Sequence, residues 1–283
     1  MHPDHQYKRL LSKVIQTGTD VSDRTGVGTR AIYGEMLRFN LSDGFPVGTL
    51  RKTAWKSAIG EMIGFMRGYD NAADFRALGC KFWDANAKAY SGGDDLGAIY
   101  GCQARGWSRS DGNAPLDQIK SVYDQIRDNP TSRRKLVSHW RPDEFHMMAL
   151  PPCHAFYQFH IDGDSMHIQV YMRSNDLVLG LPANVVEYAW LLEVTAFAFG
   201  YKAGELIYMI GDAHIYQDHI EGAKLMMVRN ARKLPRLVFG SDVLDVISSY
   251  KGREHDMFDE LTPDMFTLGG YKHGHPIKFE MAV

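Results

Sequence analysis

A chain of 283 residues, 45% hydrophobic and 23% charged, carries enough apolar material for a full core and lacks the composition of a disordered or fibrous protein. Its formal net charge of -2 leaves no whole-molecule field to attract nucleic acid or an acidic membrane, so any anion site must be built locally. The three cysteines, Cys80, Cys102 and Cys153, fit neither a secreted disulfide framework nor a metal site, and no apolar run approaches the roughly 18 residues of a membrane span.

Leu10, Leu11, Val14 and Ile15 recur at helical spacing and predict an amphipathic helix over 7–17. Asp23-Arg24-Thr25-Gly26-Val27-Gly28-Thr29 is a glycine-punctuated turn with two readings, a hairpin loop with a solvated charge or an arginine presented to an anion such as phosphate. Over 53–67 the apolar stripe Ala54, Ala58, Ile59, Met62, Ile63 and Met66 predicts a helix with Glu61 inside it. That carboxylate is either a boundary residue reaching solvent or a desolvated acid suited to proton transfer. Trp83 and Tyr100 follow in aromatic segments that either close the core or wall a planar ligand. Leu116, Ile119, Tyr123 and Ile126 predict a further helix, stopped by Asn129-Pro130.

Arg133 and Arg134 precede a predicted strand at 135–140, where adjacent arginines are ordinarily solvated. Cys153 follows Pro151-Pro152 and leads into the alternating run 155–161, which pins it at a strand entrance; alone it reads as a small buried hydrophobe or as a nucleophile. A strand at 167–172 runs into Arg173-Ser174-Asn175-Asp176, and Gly180-Leu181-Pro182-Ala183-Asn184 breaks the pattern. Residues 185–199 are apolar almost all round, as in a buried central helix. A short strand at 206–210 ends at Gly211-Asp212-Ala213-His214-Ile215-Tyr216. Polar residues thus gather where apolar strands stop, where sites are commonly built. The last stretch is irregular with an apolar end, as expected of a docked terminus. No repeat, low-complexity tract or linker interrupts 1–283, which reads as one domain.

Taken in order, several motifs resemble the thymidylate synthase family. They are Asp23-Arg24-Thr25-Gly26, Arg51-Lys52, Glu61, Trp83-Asp84, Tyr100-Gly101 and Ser132-Arg133-Arg134. They continue through Met148-Ala149-Leu150-Pro151-Pro152-Cys153-His154, Arg173-Ser174 with Asp176, Gly180-Leu181-Pro182 with Asn184, Gly211-Asp212 with His214 and Tyr216, and Met281-Ala282-Val283. The resemblance implies an α+β fold, a mixed β-sheet covered by helices, with one sheet face used for dimerisation. It implies dUMP as substrate, 5,10-methylenetetrahydrofolate as one-carbon donor and no metal. Cys153 is then the nucleophile on C6 of the pyrimidine, because C5 is a poor nucleophile until a thiolate saturates its neighbour.

By the same resemblance Glu61, Tyr100 and His154 move protons. Arg24, Arg173 and Ser174 hold the phosphate, joined by Arg133 and Arg134 from the partner subunit of a homodimer. His214 and Tyr216 take the ribose hydroxyl, and Asn184 reads the uracil edge in preference to cytosine. Arg51, Trp83, Leu150, Asp176 and Val283 line or close the folate side. No membrane is implied and nucleic acid is not an expected ligand. The expected location is a reducing cytoplasm, or a host's if the chain is phage-encoded.

Some positions depart from the usual synthase pattern. Gly64 stands where a tryptophan is usual and Ala183 where an aromatic is usual, while Trp140-Arg141-Pro142 and Met172-Arg173-Ser174-Asn175-Asp176 read like phage pyrimidine hydroxymethylases. Those enzymes end the reaction with water instead of hydride, so a wall that admits water changes the product. Lost bulk at Gly64 and Ala183 points toward water entry, whereas Trp83 and the apolar end point toward methylation. Methylation is the first reading, dUMP hydroxymethylation the second, and a non-catalytic nucleic-acid-binding regulator a minor third.

Overall fold

The computed structural model describes residues 1–22 and 26–280. In chain order the elements are α1 (Pro3–Thr17), β1 (Thr19–Val21), β2 (Thr29–Asn40), α2 (Trp55–Arg67), α3 (Ala72–Ala77) and α4 (Asp84–Ser91). There follow α5 (Tyr100–Arg105), α6 (Gln118–Asp128), β3 (Leu136–Ser138), β4 (His154–Asp162), β5 (Ser165–Asp176) and α7 (Gly180–Ala198). The chain ends with β6 (Lys202–Tyr216), α8 (Ile220–Met227), β7 (Arg236–Phe239), α9 (Ser241–Ser249) and β8 (Phe266–Gly269).

The helix predicted at 7–17 begins earlier, at Pro3, because proline suits a first helical position and His2 Nδ1 accepts from the Asp4 N–H at 3.1 Å. α6 starts where Asp117 accepts from the Lys120 N–H at 2.9 Å. α7 starts at Gly180, earlier than the residue-185 start predicted. Pro182 lies in its first turn, where an amide has no intrahelical partner, and the Asp176 carboxylate accepts from the N–H groups of Val178 (2.8 Å) and Leu179 (3.2 Å) just ahead.

Among the described residues the main sheet has six strands in the order β1-β2-β6-β5-β4-β3. Only β5 and β6 run parallel; the other neighbours are antiparallel, so the sheet is mixed. β7 and β8 form a separate two-stranded pair. Met166, Ile168, Val170 and Met172 of β5, with Leu206, Tyr208 and Ile210 of β6, face a buried core. α7 lies on β5 and β6 and is buried nearly all round, and α2 packs on α7. On the opposite sheet face Phe156 stacks on Tyr171 with ring centroids 5.5 Å apart, and Tyr33 and Met36 stand 65% and 53% exposed. The α+β architecture expected from the sequence is present.

One end of this sheet gathers chain from several strands. Ser174, Asn175 and Asp176 of β5 pair with Asp212, Ala213 and His214 of β6. The Arg173 N–H donates to the Cys153 carbonyl at 2.8 Å, so the approach to β4 joins the same end. The turn after Asp176 then sends α7 back across the sheet, which returns Asn184 to this corner.

The candidate active site

Cys153 lies just ahead of β4, half-buried, at a register irregularity between His154 and Phe156. Its backbone is held on three sides. Its N–H donates to Tyr100 Oη at 2.7 Å and its carbonyl accepts from Arg173. The Arg173 guanidinium donates to the carbonyls of Pro151 (2.8 Å) and Pro152 (2.9 Å), so the arginine braces the peptide that presents the sulfur. The other cysteines are poorly placed for nucleophilic work. Burial drives the Cys80 thiol far up, and burial with Asp70 beside it pushes Cys102 up to about 12.

Tyr100 owes its place to Gly101, where an added Cβ would sit 2.6 Å from backbone atoms of Gly68 and Tyr69. That close approach packs the start of α5 against the end of α2, and Tyr100 stacks on Phe65 with centroids 4.6 Å apart. Glu61 projects from α2 into this region and is only 8% exposed. Burial pushes its carboxyl up to about 7, against the opposing pull of hydrogen bonding to Glu187 and Trp83. The Trp83 Nε1 is buried without a well-formed hydrogen bond, although it lies close enough to favour the ionised Glu61.

Asn184 is fixed from both ends of its amide. Its oxygen accepts from Asn175 Nδ2 at 3.0 Å and, at 3.5 Å, faces Tyr208 Oη, which also donates to Asn175 Oδ1 at 2.9 Å. Its nitrogen lies 3.1 Å from His154 Nε2 and 3.4 Å from Glu187 Oε1. This network assigns His154 Nε2 as acceptor, leaving Nδ1 to donate to Tyr188 Oη at 3.1 Å. Burial holds His154 far down, to about 3, and His139 behind it to about 4. His154 is therefore a neutral ring that orients the amide.

Around the strand ends, His214 Nδ1 meets Asp212 Oδ1 at 2.7 Å, its ring stands edge-on to Tyr216 at 5.4 Å, and Ser174 pairs with Asp212. Arg51 donates to the Val178 carbonyl at 2.7 Å and lies over the Phe279 ring at 5.4 Å, linking the turn before α7 to the C-terminal segment. His219 reaches the Glu280 carbonyl at 2.8 Å, so that segment is docked. Leu150 is half-buried against the core ahead of Pro151.

Cys153, Tyr100, His154, Glu61, Trp83 and Asn184 thus form one cluster, flanked by Arg173, Ser174, Asp176, His214 and Tyr216. Arg133 and Arg134 are not brought to it. Both are exposed, and β3 pairs with β4 in a register that puts them beyond Phe159. At about 3.3 Å per residue they lie roughly 20 Å or more along the strand from Cys153. Arg24 and Val283 lie outside the described residues. Asn175, Glu187, Tyr188 and Tyr208 belong to the cluster and were not singled out from sequence. Polar groups interrupting apolar runs were the available signal.

Gly64 does not open the pocket wall. An added Cβ there would lie 2.3 Å from the Phe75 ring, and Phe75 is fully buried, so its ring fills the space that a larger side chain at 64 would occupy. Gly64→Ala should therefore overpack the site and lower stability by about 1–3 kcal/mol, read as a drop in the urea midpoint. A midpoint equal to the parent's contradicts the filled-space account.

A family model for thymidylate synthase matches residues 5–283 of this sequence. The chain belongs to the thymidylate synthase family. It is also similar to a thymidylate synthase of Pseudomonas putida, with 38% identity over 322 aligned positions that cover 98% of this chain and 99% of that protein. The chain is accordingly an enzyme, a one-carbon transferase of the methyltransferase kind. No described helix is long and apolar enough to cross a membrane.

Proposed function

We propose that this enzyme transfers the one-carbon unit of 5,10-methylenetetrahydrofolate to C5 of dUMP and completes it as a methyl group, giving dTMP. The carrying observation is the half-exposed Cys153, braced by Arg173 and Tyr100 beside the buried acid Glu61 and the oriented amide of Asn184. The thiolate of Cys153 adds to C6, and C5 becomes the carbon nucleophile that accepts the folate-borne unit. Glu61, near Tyr100, exchanges the protons that this addition and its reversal require. The folate supplies the carbon and the hydride. Arg51, Trp83, Leu150 and Asp176 are the described residues assigned to its side, and Val283 is assigned there by the family resemblance alone.

Asn184 is the reader of the base edge, and Asn175 fixes which way its amide points. Asn175→Ala should free the amide to flip and lower the dUMP-over-dCMP ratio of kcat/KM by roughly 5–100-fold, since an unpaired buried polar group costs about 1–3 kcal/mol. Equal ratios in parent and variant contradict this role.

His214, Tyr216, Ser174 and Arg173 take the sugar and phosphate side, with Arg24. The remoteness of Arg133 and Arg134 from their own Cys153 supports their donation to a partner's site. The exposed Tyr33 and Met36 support dimerisation through that sheet face. We take residues 1–283 as one catalytic domain, built on one continuous core. The three thiols, Cys80, Cys102 and Cys153, are not joined in disulfides, which favours a reducing cytoplasm.

The second reading, hydroxymethylation of dUMP, keeps the half-buried Ala183 and the hydroxymethylase-like segments at 140–142 and 172–176 once Phe75 fills the space beside Gly64. Incubation with dUMP and methylenetetrahydrofolate separates the two. Dihydrofolate with dTMP is expected, and tetrahydrofolate with 5-hydroxymethyl-dUMP overturns the first reading.

A further inference from the structure

Glu187 lies on the same face of α7 as Asn184, one turn further on, and is fully enclosed at 0% exposure. Its Oε1 is 3.4 Å from Asn184 Nδ2. Its Oε2 is 3.8 Å from His154 Nδ1 and accepts no hydrogen bond from a nitrogen or hydroxyl donor. From α2 the Glu61 carboxyl comes within hydrogen-bonding reach of it. A buried carboxylate needs a cation or several donors to stay ionised.

Among the described residues no cation faces this pair. The titratable groups around it are Cys80, Tyr100 on α5, His154 on β4, Tyr188 on α7 and Tyr208 on β6. Burial keeps His154 neutral and drives Cys80 and the three tyrosines up, so all of them stay uncharged near neutral pH. Two adjoining carboxyls with no counterion share one proton, because ionising both would place like charges side by side in a dry pocket. Glu187 is wholly enclosed whereas Glu61 keeps 8% exposure, so the charge is better tolerated on Glu61 and the shared proton sits on Glu187.

We propose that Glu187 is a positioning residue for the one-carbon transfer: it carries the proton of the pair, donates its O–H to Glu61, and leaves Glu61 as the member that ionises and exchanges protons with substrate. Its other oxygen accepts from Asn184, so one side chain ties the proton-transfer group to the base-reading amide. The proposal rests on the reading that Glu61 moves the substrate's protons. It accounts for a carboxyl kept fully enclosed in a largely apolar helix, where it would be costly if it carried charge.

Two readouts test it. In pH profiles of kcat/KM for dUMP, Glu187→Leu removes the donor, and the limb reporting Glu61 ionisation should move to higher pH by about one unit or more. Glu187→Gln still donates and should bring that limb back to within about half a unit of the parent. In infrared difference spectra at pH 8, the C=O band of a buried protonated carboxyl should vanish in Glu187→Gln and persist in Glu61→Gln. Both Gln variants keep the side-chain shape, so the spectra stand even if the Leu variant does not fold. A limb unmoved in a folded Glu187→Leu, or a band that follows Glu61, overturns the proposal. A parent without turnover would sink the functional reading instead, and the infrared comparison would still decide where the proton sits.

Discussion

Cys153→Ser is expected to lower kcat for one-carbon transfer to dUMP by about four orders of magnitude or more, the scale seen when an enzyme loses its nucleophile. The melting temperature should stay within a few degrees of the parent. The two expectations come from the same geometry. The position of residue 153 is set by main-chain bonds from its N–H to Tyr100 and from Arg173 to its carbonyl, and the Arg173 guanidinium holds the two preceding carbonyls. The residue is only partly buried, and its side chain makes none of those main-chain contacts. Serine therefore inherits the backbone but not a readily ionised, polarisable nucleophile. Intact-mass analysis after denaturation should find a dUMP adduct on the parent and none on the variant. Cys102→Ser serves as the control, since the Cys102 thiol faces Asp70 away from the cluster and its loss should leave turnover largely intact. More than a tenth of parental activity in Cys153→Ser would remove this residue from the reaction.

Much of this arrangement was legible before any coordinates. The alternating runs became β4 and β5, the amphipathic spacings became α1, α2 and α6, and the motif residues at strand ends converged because the parallel β5 and β6 stop in register. Other parts were hidden for identifiable reasons. β2 is hard to read as a long strand because Gly34, at φ +75° between the Tyr33–Asp212 and Glu35–Ile210 pairs, interrupts the side-chain alternation although the register runs through it unshifted. β6 was ended at residue 210 because Gly211-Asp212 reads as a turn. It continues to Tyr216, and a Cβ at Gly211 would meet Tyr171 Oη at 2.7 Å, so glycine there permits close strand contact.

Compensation across the fold is harder still to read from sequence. Gly64 looks like missing bulk, and only packing shows the Phe75 ring filling it. Glu187 disappears into an apolar helix until α2 brings Glu61 against it. Arg133 and Arg134 lie close to the site in motif order, yet the β3–β4 register carries them away from their own Cys153.

Glu61→Gln should move activity and stability in opposite directions. Turnover should fall by about 10²–10⁴-fold, the usual contribution of a positioned acid–base group, because the amide can neither take nor give the proton. Stability should rise at alkaline pH. Burial raises the folded-state carboxyl from 4.5 to about 7, so the folded parent holds a proton that the unfolded chain releases between those values. Above about pH 7 the folded state must carry the charge inside the pocket, and its stability is lower there by at most about 3 kcal/mol. Below about pH 4.5 both states are protonated and the difference disappears. Urea unfolding at pH 8 should therefore show the glutamine variant more stable than the parent, by about 1–3 kcal/mol, with the gap closing as pH falls toward 4.5. The pocket tolerates the amide because the glutamine oxygen accepts from the Glu187 O–H where the carboxylate did. A variant that loses activity and is also less stable at pH 8 would show that Glu61 is held by favourable contacts rather than against a desolvation cost. The raised carboxyl would then have no part in making it a proton carrier. The expected result is a carboxyl kept at a cost to the fold because the reaction uses its proton.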